Sequence, residues 1–501
     1  MQKNPALERT RRLAESPIPQ LLLRLSLPAV VGMLTAGVYN FVDGAFIGQA
    51  VGRDGLAGVT IALPYMLILM ATGMLIGFGA AAQVSIKLGE KQTEEAERVL
   101  GNAALLSVVV SLVLTIAGLL ALNPVLRLFD VSAAVLPYAR GYLGIIMLAT
   151  GLQITGYGLN SVIRAEGNTR TAMWTLLIGV LLNIFLAWLF LFKFQWKIHG
   201  EALTAAISRI VRREMTVEEV KICGVALATA ISQGVSAVWV VMYFLGGKST
   251  LRLRWHFLRF DWEISRKILL IGSPMFALQV ATAMMYGVML HQLNRFGGDL
   301  AVAVWGSVYR FMMLVAMPVF GINQGTQPAI GFNFGAKRFD RVKQALLTGI
   351  LYASTITTVG FAIAYLIPAQ VISLFVAEDA PDRSELINLG VHATRLCFLL
   401  SPLIGFQVIS ATYFQATRKP RQALFLMLSR QAFLIPLLWI LPQYFAKGLD
   451  GVWMAWPFAD GAASILTGIC LYFELKHLDS RHQETTFAAG AENLAMPEDA
   501  A

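Results

Sequence analysis

The chain has 501 residues, of which 56% are hydrophobic and 14% charged, with a mean hydropathy of +0.64. That apolar excess excludes a soluble globular protein of this size and indicates an integral membrane protein. The net charge of +10 would suit a nucleic-acid partner, but about 25 of the 40 Lys and Arg fall in segments on one side of the predicted spans and about 12 on the other. The basic balance is therefore topological: it implies no nucleic acid and places both termini in the cytoplasm.

Residues 1–24 are polar and basic, and the apolar run after them is too long for a secretory signal and lacks a small-residue cleavage site. About 20 apolar residues are needed per crossing. Twelve spans are expected, near 25–49, 56–86, 99–122, 138–162, 171–194, 224–246, 266–291, 300–328, 344–367, 387–414, 422–442 and 450–473. They divide the chain into an N-terminal tail (1–24), a six-helix lobe (25–246), a cytoplasmic linker (247–265), a second six-helix lobe (266–476) and a C-terminal tail (477–501). Before span six, "GEALTAAIS" (Gly200–Ser208) is echoed by "GVALATAIS" (Gly224–Ser232), so about 24 residues, near 200–223, read as an insertion by tandem duplication. Cys223, Cys397 and Cys470 lie in or beside spans without metal-ligand spacing and read as packing residues.

The halves share a weak repeat at an offset of about 245 to 251 residues. Pro28 pairs with Pro274, Tyr65 with Tyr309, Gln83 with Gln327, and "RAEGNTRTAM" (Arg164–Met173) with "QATRKPRQAL" (Gln415–Leu424). An even number of spans per repeat gives both halves one orientation, related by an axis along the membrane normal. That is a transporter arrangement, with substrate between the lobes.

Enzymatic readings find little support. "GGKST" (Gly246–Thr250) lacks the earlier glycine of a phosphate-binding loop and follows a membrane helix, not a strand. The six histidines are scattered, and no Ser/His/Asp set shares a segment, which leaves a membrane acyltransferase without catalytic residues. No metal or cofactor is implied.

Charges inside the spans carry more information, because each costs at least about 2.5 kcal/mol near the bilayer centre. Arg310, Arg395, Arg430 and Asp460 all lie in the second half, where Asp460 is expected to neutralise one of the arginines. Asp43, in "VYNFVDGAFIG", lies about 27 Å along the first span from Leu25, with no Lys, Arg or His expected at its depth in the first five spans. Such a carboxylate either holds a proton, binds a monovalent cation with help from neutral oxygens, or serves as a neutral hydrogen-bonding group between helices. Asn183, Asn160, Tyr142 and Thr229 are the candidates to share its proton or ion. A lone Asn or Thr in a span more often joins helices than binds a ligand.

These residues resemble the multidrug and toxic compound extrusion (MATE) transporters, in particular the bacterial DinF/MepA-like branch. The resemblance runs from about Leu21 to Leu475 and rests on Pro28, Asp43 with "DGAFIGQAVG", "QVSIKLGEK", "NSVIRAEGN", "INQGTQPAIGFNFGAKRFDRV" and "LDGVWMAWPFAD". It implies an all-α membrane protein, with twelve helices in two pseudo-symmetric bundles around a V-shaped cavity. Such a protein exports amphipathic, often cationic, compounds by antiport with protons or sodium. By resemblance Asp43 is the coupling carboxylate, Asn183, Asn160 and Thr229 match family polar positions, Tyr142 matches more loosely, and Pro28 is the proline at which the first helix bends. Many relatives carry a second aspartate four residues after Asn183, where this chain has Ala187; this favours protons over sodium. The expectation is a monomeric antiporter of the bacterial inner membrane. The alternative is a lipid-linked saccharide flippase of the same broader fold, for which intramembrane arginines would hold a pyrophosphate.

Overall fold

In this computed structural model residues 5–51, 53–128, 135–193, 216–247, 249–376, 382–444 and 448–495 are described. Most of the inserted segment lies outside them. Among them there is no β-strand, as hydrocarbon requires, because a helix satisfies its backbone polar groups internally.

A short amphipathic helix, α1 (Pro5–Glu15), precedes the first span, α2 (Ile18–Val51). Then come α3 (Arg53–Gly89), α4 (Thr93–Leu128), α5 (Leu136–Leu148), α6 (Thr150–Ala165), α7 (Thr169–Trp188) and α8 (Val217–Leu245). The second half comprises α9 (Trp262–Gly335), α10 (Phe339–Leu366), α11 (Pro368–Ser373), α12 (Arg383–Phe398), α13 (Pro402–Ala416), α14 (Pro420–Tyr444) and α15 (Gly448–Ala495).

Nine of these helices are long and apolar enough to cross a bilayer, and two bent pairs add a crossing each: α5 with α6 (51°) and α12 with α13 (46°). The expected seventh and eighth spans form one 74-residue helix, α9, broken at Gly298 (φ 60°, ψ −159°). At 1.5 Å per residue it is long enough for two passes, so the twelve expected crossings are accommodated. Both segments expected as cytoplasmic tails carry helix: α1 and the start of α2 at Ile18 before residue 24, and the end of α15, which runs on to Ala495.

One turn recurs at the basic end of the bundle. After α3, α6, α9 and α13 the chain turns through a left-handed residue: Lys91 (φ 58°), Gly167 (φ 83°), Lys337 (φ 57°) and Arg418 (φ 60°). In each case the next amide reaches back five residues, as in Gln92 N to Lys87 O (2.9 Å) and Arg338 N to Asn333 O (2.9 Å). This satisfies carbonyls that a helix C-terminus leaves free. Lys337 and Arg418 occupy the repeat positions of Lys91 and Gly167.

At this end the two halves meet backbone to backbone. A Cβ at Gly272 would lie 1.7 Å from Leu75 O, one at Gly79 2.0 Å from Ile268 O, one at Gly89 2.0 Å from Phe332 O, and one at Gly335 2.1 Å from Ile86 O. In lipid, helix association draws little from hydrophobicity, so small residues that permit such approach are what bring α3 and α9 together. An interlobe ion pair joins Arg418 Nη1 to Glu90 Oε1 (3.3 Å).

Gly272→Val should force α3 and α9 apart and destabilise the protein by about 1–3 kcal/mol, read as a lower Tm in detergent. Gly287→Ala, where a Cβ meets nothing within 4 Å, should leave Tm unchanged or raised, since alanine is the better helix residue.

Candidate functional site

The first span is helical straight through Pro28. Proline has no N–H, so the carbonyl of Arg24 loses its normal partner; Thr169 Oγ1, at the start of α7, lies 3.5 Å from it. From there α2 and α7 run parallel. A Cβ at Gly32 would lie 3.3 Å from Leu176 Cδ1, and Phe46 meets Phe192 edge to face at 5.7 Å. These contacts share a register of about 145 residues, which sets Asp43 level with about Ala187 and roughly a turn beyond Asn183.

Asp43 Oδ1 is buried and has no hydrogen-bond partner. Asn183 is buried, and its Nδ2 donates to Thr229 Oγ1 of α8 (3.1 Å). Thr229 in turn bonds Val225 O (3.2 Å), while Asn183 Oδ1 is also buried without a partner. The structure therefore brings together Asn183 and Thr229, and α2 carries Asp43 past them with an unsatisfied oxygen. An orphaned carboxylate oxygen in a membrane interior needs a proton, an ion or a water to offset its desolvation. Ala187 is 1% exposed, so a methyl group, not a second acid, stands level with Asp43.

The other candidates lie elsewhere. Tyr142 is buried on α5 with its hydroxyl 4.0 Å from Met66 Sδ. Asn160 sits at the basic end: its Nδ2 bonds Ala172 O (3.1 Å) and Thr175 Oγ1, and its Oδ1 accepts from Arg164. That side chain fixes α6 to α7 and has no capacity aimed toward Asp43. Beyond Trp188, α7 continues into a short π-helical turn, Leu189–Lys193, which by the same register sets Lys193 level with about residue 48, more than a turn past Asp43. Lys193 Nζ lies 5.7 Å over the Trp188 ring; among the described residues no ion pair joins it to Asp43.

In the second half, Arg430 is the arginine that meets Asp460. Arg430 Nε lies 2.5 Å from Asp460 Oδ1, Nη2 lies 3.4 Å from Oδ2, and the guanidinium sits 5.1 Å over the Trp456 ring. Asp460 is wholly buried, so the pair is neutral overall and braced by its ring. Arg310 and Arg395 are exposed side chains with no ion pair among the described residues. Among those residues no group of three His, Cys, Asp or Glu could hold a metal ion.

Sequence reasoning missed one polar centre, Glu166. It is 1% exposed, accepts from Tyr243, from Ser249 Oγ (2.7 Å) and from Thr250 N (2.8 Å), and faces Arg9 Nη1 at 3.4 Å. Burial pushes its carboxyl above the usual range, and these partners oppose the shift. Its only signal was its place in "RAEGN", where an acid next to a loop glycine reads as surface.

The sequence profile of the MatE family matches residues 28–189 and 274–440. The two matched segments open on Pro28 and Pro274, one in each half. The chain belongs to the MatE family. It is 24% identical over 458 residues to the multidrug export protein MepA of Staphylococcus aureus (strain NCTC 8325 / PS 47), covering 91% of this chain and 94% of MepA. Identity and coverage are the same for MepA of Staphylococcus haemolyticus. Among solved structures, the outward-facing conformation of a multidrug resistance MATE family transporter superposes with a TM-score of 0.83 at 21% identity, covering 95% of this chain and 99% of that one. A transporter of the MOP superfamily from Pyrococcus furiosus, described as having a binding pocket of reverse polarity, gives 0.84 at 22% identity, covering 96% and 99%. The protein is thus a MATE transporter of the MepA-like branch, with the V-shaped fold of these neighbours.

Removing one member of the Arg430–Asp460 pair leaves a buried charge, at a cost of about 3–5 kcal/mol. Asp460→Ala should lower Tm and change the fluorescence of Trp456. The double variant Asp460→Leu with Arg430→Met should recover most of that stability.

Proposed function

We propose that this protein is a secondary multidrug efflux antiporter of the bacterial inner membrane. It would export amphipathic and cationic compounds in exchange for protons, with Asp43 as the coupling residue. Family membership and the multidrug export relatives support the transport reading. Asp43 Oδ1, buried and without a partner on a helix whose register along α7 sets it about a turn from Asn183, is the observation that supports the coupling. With a methyl group at Ala187 the pocket has one carboxylate to offer; a proton needs only one, whereas a sodium ion is better held by two. In this reading Asp43 takes up a proton from the outer side and α2 bends at Pro28, whose i−4 carbonyl has only the weak Thr169 contact to lose. Substrate between the lobes is released outward. A ligand drives this cycle only through its different affinity for the two states. Both termini lie in the cytoplasm, where the basic end of the bundle faces, and the protein works as a monomer without a cofactor.

The flippase alternative depended on three arginines gathering a pyrophosphate. Arg430 is already neutralised by Asp460, which leaves that reading with two.

The test is purified protein in liposomes, comparing transport of a fluorescent organic cation under a proton gradient with transport under a sodium gradient. The proton gradient alone should drive it, and Asp43→Asn should abolish coupled transport while preserving Tm. Wild-type rates in Asp43→Asn would remove the central claim. Ala187→Asp, which adds a second carboxylate at the level of Asp43, should introduce a sodium dependence that the parent lacks.

A further inference from the structure

Helix α1 touches both lobes at the closed basic end. Toward the first lobe, Arg9 Nη1 bonds Tyr243 OH (2.7 Å) and faces the buried Glu166 (3.4 Å). Leu13 is 1% exposed and packs where a Cβ on Gly167 would lie 3.3 Å from its Cδ1. Toward the second lobe, the C-terminal carbonyls of α1 are gripped by two arginines from the start of α10. Arg338 Nη1 bonds Ala14 O (2.6 Å), and Arg341 Nη2 bonds Ser16 O (2.8 Å) and Leu13 O (3.3 Å). Arg341 is itself positioned by Nε on Asn333 Oδ1 (2.9 Å). Two guanidinium groups on the free carbonyls of a helix C-terminus satisfy acceptors and complement the helix dipole at once.

We infer that α1 is a clasp: held to the first lobe by Arg9 and Leu13, it binds the second lobe through Arg338 and Arg341, and so sets how readily the basic end opens. α1 leads directly into α2 and must move with the first lobe. When the lobes part at this end, the bonds from Arg338 and Arg341 have to break while those to Glu166 and Tyr243 persist. The clasp adds to the glycine contacts between α3 and α9, to the bond from Gln327 Nε2 to Phe78 O (3.3 Å) and to the Arg418–Glu90 ion pair, which close the same end. It also explains a buried carboxylate that ion coupling does not use. Glu166 ties Arg9, the loop after α6 and the segment at Ser249–Thr250 into one rigid seat for α1. The inference rests on the transport reading only in that opening of this end is a step of the cycle.

The test reads conformation, so it stands apart from whether Asp43 couples transport. In full-length protein with Cys223→Ala, Cys397→Ala and Cys470→Ala, spin labels are placed at the exposed positions Gln92 and Asp340, one in each lobe, and the distance distribution is measured in lipid nanodiscs. The parent should show mainly a short distance. Arg338→Gln with Arg341→Gln should raise the long-distance fraction about tenfold, since charge-assisted bonds are lost from the closed state alone. Arg9→Gln should raise it by a smaller factor. Arg11→Gln, which removes only an ion pair within α1 (Arg11 Nε to Glu15 Oε2, 2.6 Å), should leave it unchanged. Tm is recorded for each variant, and Arg341→Lys, which keeps the charge at the carbonyls, separates the clasp from a folding defect by restoring the short distance. An unchanged distribution in the folded double variant, or an equal change in Arg11→Gln, overturns the inference.

Discussion

The structure depends on how closely two helices can approach without side chains between them. Where α3 crosses α9, glycines on each helix sit against carbonyls of the other, at separations that no Cβ could share. In a bilayer, where apolar side chains gain nothing by leaving lipid for protein, this is what gives two lobes a reason to meet. These close backbone contacts between α3 and α9 cluster toward the basic end, while α2 continues the lobe contact inward, as at Val30 and Gly321. The lobes are thus joined there by closely fitted backbone, with the Arg418–Glu90 ion pair and the arginine contacts to α1 beside it and no covalent link among them, which suits an interface that must separate and re-form.

Buried polar groups differ in how far they are satisfied. Asp460 has Arg430 and the Trp456 ring; Glu166 has four donors; Asn160 has α7 and Arg164. Asp43 Oδ1 and Asn183 Oδ1 have none. Other buried polar atoms, Gln83 Nε2 and both side-chain atoms of Asn323 among them, also lack a partner; what sets Asp43 apart is that its group is an acid, whose ionised form is the costliest to leave unpaired in a membrane interior.

Much of this was legible in the sequence for physical reasons. Apolar runs of spanning length, a repeat pairing Pro28 with Pro274, and a carboxylate inside a span are constraints that a single chain displays directly. The pairing of Asp460 was legible in kind, but not which arginine it takes, because three candidates lay in separate helices. Asn160 was ambiguous in sequence because an amide in a span looks the same whether it joins helices or faces an ion; its place beside Arg164 and Thr175 shows the joining. The clasp was invisible, since α1 reads as a polar tail until its carbonyls are seen against Arg338 and Arg341.

The recurrent turn at the basic end has one further implication. Three of its four left-handed positions are held by exposed Lys91, Lys337 and Arg418, where glycine would sit without strain. A cation there is carried off the end of its helix on the basic side of the bundle, where Lys91 and Lys337 point outward and Arg418 turns to Glu90. The strain tolerated at each turn thus fixes a positive charge at the membrane boundary, and a bend in the backbone also serves as a depth gauge for the helices above it.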